Sequence, residues 1–163
     1  MHRIPTSWIM IFIGLALLAV LLFIPIQFNP KMDKPIQREA QVSIVDEAGK
    51  QKANFYVELA DTEEEREIGL MGRRALKKKE GMLFIMEEEE VHSFWMLDTY
   101  LALDIVFVNA AQEVVYIAKE MEPESQDPVN SKAPCLFALE INAGLSETLG
   151  LRVGDRIKME KLK

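Results

Sequence analysis

A single cysteine, Cys135, stands in 163 residues. That excludes an intrachain disulfide and any zinc site built from several thiolates. Between Pro134 and Leu136, at the start of a strand-like run, it reads as a small buried hydrophobe rather than a nucleophile. Basic charge is also short: 19 Lys and Arg face 26 Asp and Glu. With Arg3, Lys31, Lys34, Arg38 and Asp33 set aside, residues 39–163 hold 15 basic and 25 acidic side chains. A surface of that sign repels phosphate backbones, so nucleic acid is not an expected partner. No internal repeat is present, and nothing in the chain calls for a cofactor. Ser93 lacks a Ser-His-Asp setting, because His92 is its immediate neighbour and would point to the opposite face of a strand. The run Glu87 to Glu90 lacks the spaced oxygen ligands and turn glycine of a calcium loop. It is expected as a solvated turn between antiparallel strands.

What is there begins with residues 8–26, WIMIFIGLALLAVLLFIPI, which carry no charge. Nineteen residues at a rise of about 1.5 Å match the hydrocarbon thickness of a bilayer. The run is longer than a signal-peptide core, and it ends in IQFNPK without an Ala-x-Ala-like cleavage site or a cysteine for lipidation. Residues 1–28 are therefore expected as a transmembrane anchor, or an uncleaved signal. Residues 29–38 follow as a linker kept extended by Pro30 and Pro35, and 39–163 form one globular domain. A strict count of Lys and Arg beside the span would place the domain inside; the usual signal-anchor arrangement places it outside.

Within the domain the hydrophobic period is mostly two. Leu103, Ile105 and Phe107 alternate with Asp104, Val106 and Val108, and Val114 to Ala118 follows after a short polar connection. Residues 41–45 and 54–60 look like paired strands across Asp46-Glu47-Ala48-Gly49, and 81–86, 136–142 and 156–160 add three more. The period changes at residues 61–72, where Thr62 and Glu65 make a capping box and Gly69 and Gly72 end a short helix. Ser146 to Leu149 suits one further helical turn. Met121 to Pro134 is a polar loop with three prolines, long enough to rim a ligand site. Many short strands with one or two short helices define a mainly β class, an antiparallel β-sandwich or barrel-like domain.

Several landmarks in one order carry a resemblance. They are Glu58-Leu59-Ala60-Asp61 leading to Arg66, then Gly69-Leu70-Met71-Gly72-Arg73, then Gly81-Met82-Leu83-Phe84. Ser93-Phe94-Trp95-Met96, Thr99, Leu103-Asp104-Ile105-Val106-Phe107, Leu139-Glu140-Ile141-Asn142-Ala143-Gly144 and Gly154-Asp155 complete the series. The domain resembles the Domain of Unknown Function 192 family, small and mostly uncharacterised prokaryotic proteins. The resemblance implies a compact β-sandwich and, because members are often preceded by an export signal, an extracytoplasmic domain. It brings no established reaction. Leu97-Asp98 stands where the family commonly reads Lys-Asn, and Ala102 where it commonly has proline, so a site built on that lysine or amide would be altered here.

Three constellations are candidates for function. Asp98, Asp104 and Glu140 are carboxylates in apolar runs, where each needs a partner such as Arg66 or Arg73 or else serves as an acid or base. Met71, Met82, Met86 and Met96 with His92 offer thioether and imidazole groups that suit Cu(I), with Met71, Met82 and Met96 as the candidate ligands; methionine is equally a core filler. Phe94, Trp95 and Tyr100 supply flat apolar surface, and Arg73, Asp98 and Thr99 could orient a bound molecule; the same side chains would equally suit a core centred on Trp95. The expected role is non-catalytic: an extracytoplasmic, membrane-anchored module that binds a small ligand or an envelope partner around Arg73, Trp95, Asp98, Thr99, Asp104 and Glu140. A carboxylate-based hydrolase or lyase is the alternative, and a copper-handling protein a weaker one.

Overall fold

A computed structural model describes residues 35–162. The expected N-terminal span lies outside them; among the described residues no helix is long and apolar enough to cross a membrane. The strands are β1 (Ala40–Val45), β2 (Gln51–Ala60), β3 (Glu80–Glu90), β4 (Ser93–Phe94), β5 (Leu103–Val108), β6 (Val114–Met121), β7 (Val129–Asn130), β8 (Cys135–Asn142) and β9 (Arg156–Lys161). Two short helices, α1 (Glu63–Ile68) and α2 (Leu145–Thr148), interrupt them.

Seven strands form one sheet in the order β6-β5-β8-β3-β2-β1-β9, and β4 and β7 form a separate two-stranded ribbon. The class is mainly β, as the period-2 runs require. The sandwich expectation gives way to a barrel-like one, because the sheet curls until its edge strands meet. Glu113 bridges Arg156, and Val114 N–H donates to the Asp155 carbonyl at 2.7 Å. Gly154 N–H donates to Val114 and Ile157 N–H to Gln112, both at 2.9 Å. The sheet is also not purely antiparallel: β2 and β3 run parallel, Glu58 beside Met82 and Leu59 beside Leu83. A parallel pair needs a crossover, and residues 61–79 with α1 supply it.

Alternation sorts the apolar side chains into two layers. Val42, Ile44, Phe55, Val57, Leu83 and Val106 point inward with Leu139, Ile141 and Ile157, so the interior is filled from all around the barrel. On the outer face, Met82, Phe84, Ile105, Phe107 and Ala138 form a second apolar patch. It is covered by Leu70 after α1, and by Phe94 and Met96 before β5. Glu87 to Glu90 are not a turn. They are the exposed end of β3, which runs on past Ile85 through a bulge and pairs again only at Glu90 with Cys135. Cys135 is buried, and burial pushes its thiol up, as a structural cysteine requires.

Candidate functional site

The covering of the outer patch is incomplete, and the gap is the candidate site. Its first wall is α1. Thr62 accepts from Glu65 N–H at 3.3 Å, and the Glu65 carboxylate accepts from Thr62 N–H at 3.1 Å, which completes the capping box. The Thr62 hydroxyl also donates to the Glu65 carboxylate at 2.9 Å, and this bond first, with that from Thr62 N–H, holds the Glu65 carboxyl below its usual range. The helix stops at Gly69, whose φ is 47°; a Cβ there would lie 3.0 Å from the Phe84 ring. Arg66 spans from α1 to β3, donating to the Asp61 carbonyl at 2.8 Å, the Ile85 carbonyl at 3.0 Å and Glu87 at 2.8 Å.

The opposite wall is β4 and the turn after it. Phe94 meets Phe84 and Phe107 edge to face at 5.3 and 5.4 Å, which fixes the aromatic floor. Trp95, next in sequence, points away from that core and is 57% exposed. A core centred on Trp95 is thus ruled out; Phe94, partly buried, packs against the core layer instead. His92 ties the ribbon to β3 and β7: its ring meets the Glu88 carbonyl at 3.0 Å, and its backbone exchanges bonds with Ser131.

Between these walls lies an open cavity of about 550 Å³, within the range of small-molecule sites. Phe84, Phe94, Trp95, Met86 and Leu70 give it apolar surface, and Glu140 reaches it from β8. On the outer face Glu140 stands between Met82 of β3 and Ile105 of β5, its direct cross-strand neighbours. It is 5% exposed, and no hydrogen bond or ion pair holds its carboxyl among the described residues. Burial alone pushes its pKa up to about 8, so it is protonated at neutral pH. Glu80 shows what a partner changes. It is buried to a similar degree at 7% exposed, and that burial raises its carboxyl; bonds from Arg38 and Lys77 N–H, with both cations, outweigh it and leave the carboxyl lowered.

The other sequence candidates fall in different places. Thr99 lines the cavity, buried, its hydroxyl donating to the Leu97 carbonyl. Arg73 is buried in a two-point ion pair with Glu58 at 2.8 Å and does not line the cavity. Asp98 is exposed at a left-handed turn position, φ 51°, where its carbonyl accepts from Gly72 N–H. Asp104 is fully buried and structural: it accepts from Glu120 N–H at 2.8 Å and Ser146 N–H at 2.9 Å, fastening the end of β6 and α2 to β5. Lying beside Ile141, it shares the inward face, opposite to Glu140, so the two carboxylates do not form an acid–base pair. Met82 and Met96 pack in the outer apolar layer, whereas Met71 is on the cavity wall with Met86. Among the described residues no group of three His, Cys, Asp or Glu converges as a metal site. Sequence reasoning missed Phe84 and Leu70 as cavity walls. The glycine at residue 69, spaced to admit an aromatic ring, was the available signal.

The architecture is a seven-stranded, barrel-like sheet whose candidate site is a lateral cavity over its outer face. The chain belongs to the DUF192 family, described as "Uncharacterized ACR, COG1430", which it matches over residues 44–159. Two solved structures are similar. One, from Sinorhizobium meliloti 1021 and described as a "putative transcription regulator", is 32% identical with a TM-score of 0.72, covering 78% of this chain and 97% of that one. The other, a protein of unknown function from Novosphingobium aromaticivorans DSM 12444, is 36% identical with a TM-score of 0.69, covering 72% and 83%. No curated protein matches the chain.

Proposed function

We propose that the chain is a non-catalytic, small-ligand-binding domain held at the extracytoplasmic face of a membrane by residues 8–26. The observation that carries the binding role is Glu140, a buried residue whose carboxyl has no partner among the described residues and opens onto a cavity of about 550 Å³. A buried polar group without a partner is costly unless something supplies the missing bond, and a ligand in this cavity would do so. Trp95, exposed at the edge, offers that ligand a flat apolar face. The acidic balance of residues 39–163 favours neither DNA nor RNA as the occupant.

A thermal-shift screen of the full chain in nonionic detergent tests the reading. A ligand at a hundredfold its dissociation constant adds about 2.7 kcal/mol of stability, a shift of several degrees for a domain of this size. Trp95→Ala is expected to weaken a hit roughly tenfold or more while leaving the melting temperature of the free protein within a degree or two. No hit across sugars, nucleotides, amines, carboxylates and peptidoglycan fragments would end the small-ligand reading. Protease added to intact spheroplasts tests the placement, since it digests an outward-facing domain and spares an inward one.

A hydrolase or lyase is a second reading, favoured only by Glu140 being protonated at neutral pH, as a general acid would be. It would rest on that residue alone, because Asp104 faces the other way and Asp98 lies off the cavity. The copper reading needs Met71, Met82 and Met96 at one point, and two of the three are packed into the core layer.

A further inference from the structure

We propose that the ligand is an organic ammonium ion, whose apolar body lies against Phe84, Phe94 and Trp95 and whose charge meets Glu140 and the carboxylates around the cavity mouth. This deepens the ligand-binding reading and rests on it. Two independent observations point to a cation. Glu63 and Glu67 from α1, with Glu87, Glu88 and Glu90 from β3, line the cavity, and Arg66 is the one guanidinium among the described residues of its walls. Arg66 is already engaged by two carbonyls and Glu87, so the mouth keeps a net negative charge. Separately, Glu140 is nine-tenths buried, lacks a partner among the described residues and opens onto the same cavity. An acidic mouth concentrates cations and turns anions away, and aromatic faces bind ammonium groups better than they bind neutral ones.

The charged groups facing Glu140 can be enumerated by element. From β3 and β5 its flanking neighbours on the outer face are Met82 and Ile105, both apolar. Glu58 of β2 lies on the same face, one strand beyond Met82, already paired with Arg73. From α1 come Glu63, Glu67 and Arg66, and from the end of β3 the three glutamates with His92 beside them. None donates to Glu140. An arriving ammonium would therefore give it a cationic partner that it lacks among the described residues. On binding, the Glu140 O–H bond breaks, the proton goes to buffer, and the carboxylate accepts N–H bonds from the ammonium, which keeps its own protons.

Three probes of nearly one shape separate the possibilities: phenethylamine, 2-phenylethanol and phenylacetate, titrated calorimetrically into the full chain in buffers of different ionisation heat. The expected order is amine tighter than alcohol by at least tenfold, with phenylacetate weakest. Close to one proton per amine bound should appear in the buffer at pH 6.5, none for the alcohol. With Glu140 pushed up to about 8, roughly one site in a hundred is ionised at pH 6 and half at pH 8, so amine affinity should rise more than tenfold across that interval. Glu140→Gln should abolish the proton release and cut the amine preference over the alcohol to below threefold. The pair Glu63→Gln and Glu67→Gln, on the exposed face of α1, should lower amine affinity and its salt dependence without touching proton release. Alcohol or phenylacetate binding as tightly as amine, or amine binding without proton release, overturns the ammonium assignment and leaves the pocket standing. Silence from all three, with no hit in the wider screen, overturns both.

Discussion

At the scale of single residues, Glu140 and Asp104 show how identical sequence signals diverge. Both are carboxylates inside apolar, alternating runs on neighbouring strands, and both are buried. One residue of register puts Asp104 on the inward face beside two backbone donors and Glu140 on the outer face beside none. Which face faces which neighbour depends on pairing across strands that are over thirty residues apart, and no local pattern encodes that. The chemistry follows from it, and so does a pH dependence. Glu140 keeps its proton in the folded state up to about pH 8, whereas in the unfolded chain it loses it near 4.5. Below pH 4.5 both states are protonated and nothing changes. Between 4.5 and 8 the unfolded chain holds fewer protons, so stability falls as pH rises, by up to about 1.4 kcal/mol per pH unit, and levels off above. Urea midpoints of the wild type and Glu140→Gln at pH 5, 6, 7 and 8 should diverge accordingly, the variant gaining. Parallel pH profiles would show that Glu140 titrates normally in the folded protein.

At the scale of elements, local chemistry was read more reliably than partnership. The capping box at Thr62 and Glu65, the strand at residues 103–108 and the helical turn after Gly144 stand where their patterns put them. Glu87 to Glu90 do not, because four like charges look like solvent exposure, and a strand that overhangs its sheet is as solvated as a turn. The parallel pairing of β2 and β3 was hidden for a related reason: period 2 says which side chains share a face, not which direction the neighbour runs. One glycine does mark a close approach. A Cβ on Gly81 would lie 2.6 Å from the Glu140 carbonyl, so β3 and β8 can pair at their observed spacing only without it. Gly81→Ala is expected to cost about 2 kcal/mol or more by overpacking, and to weaken ligand binding by shifting Glu140. Chemical denaturation would measure the first effect; a loss under about 0.5 kcal/mol would mean that the strands part easily there.

At the scale of the whole molecule, the barrel is fastened at one seam by Asp155. Its carboxylate receives Lys52 at 2.7 and 2.8 Å and Arg152 N–H at 2.9 Å, while its carbonyl takes Val114 N–H from the far edge of the sheet. Lys52 is mostly shielded, so removing its partner leaves a poorly solvated charge. Asp155→Ala should destabilise the domain by about 2 kcal/mol and speed hydrogen exchange at Val114 and Ile157 more than at Leu83 in the sheet centre. Uniform exchange rates would show that the seam is not held there.

The last strand also lies against the first, Ala40 beside Lys161, with Leu162 N–H on the Glu39 carbonyl. A chain made from its N-terminus therefore pairs β1 with β2 early but lacks its second partner until residues 156–161 have been synthesised. The edges of β1 and β6 stay open throughout that interval, each a template for pairing with another chain. The waiting time before closure, and not only the strength of the finished barrel, then bears on how much of the new chain is lost to such pairing.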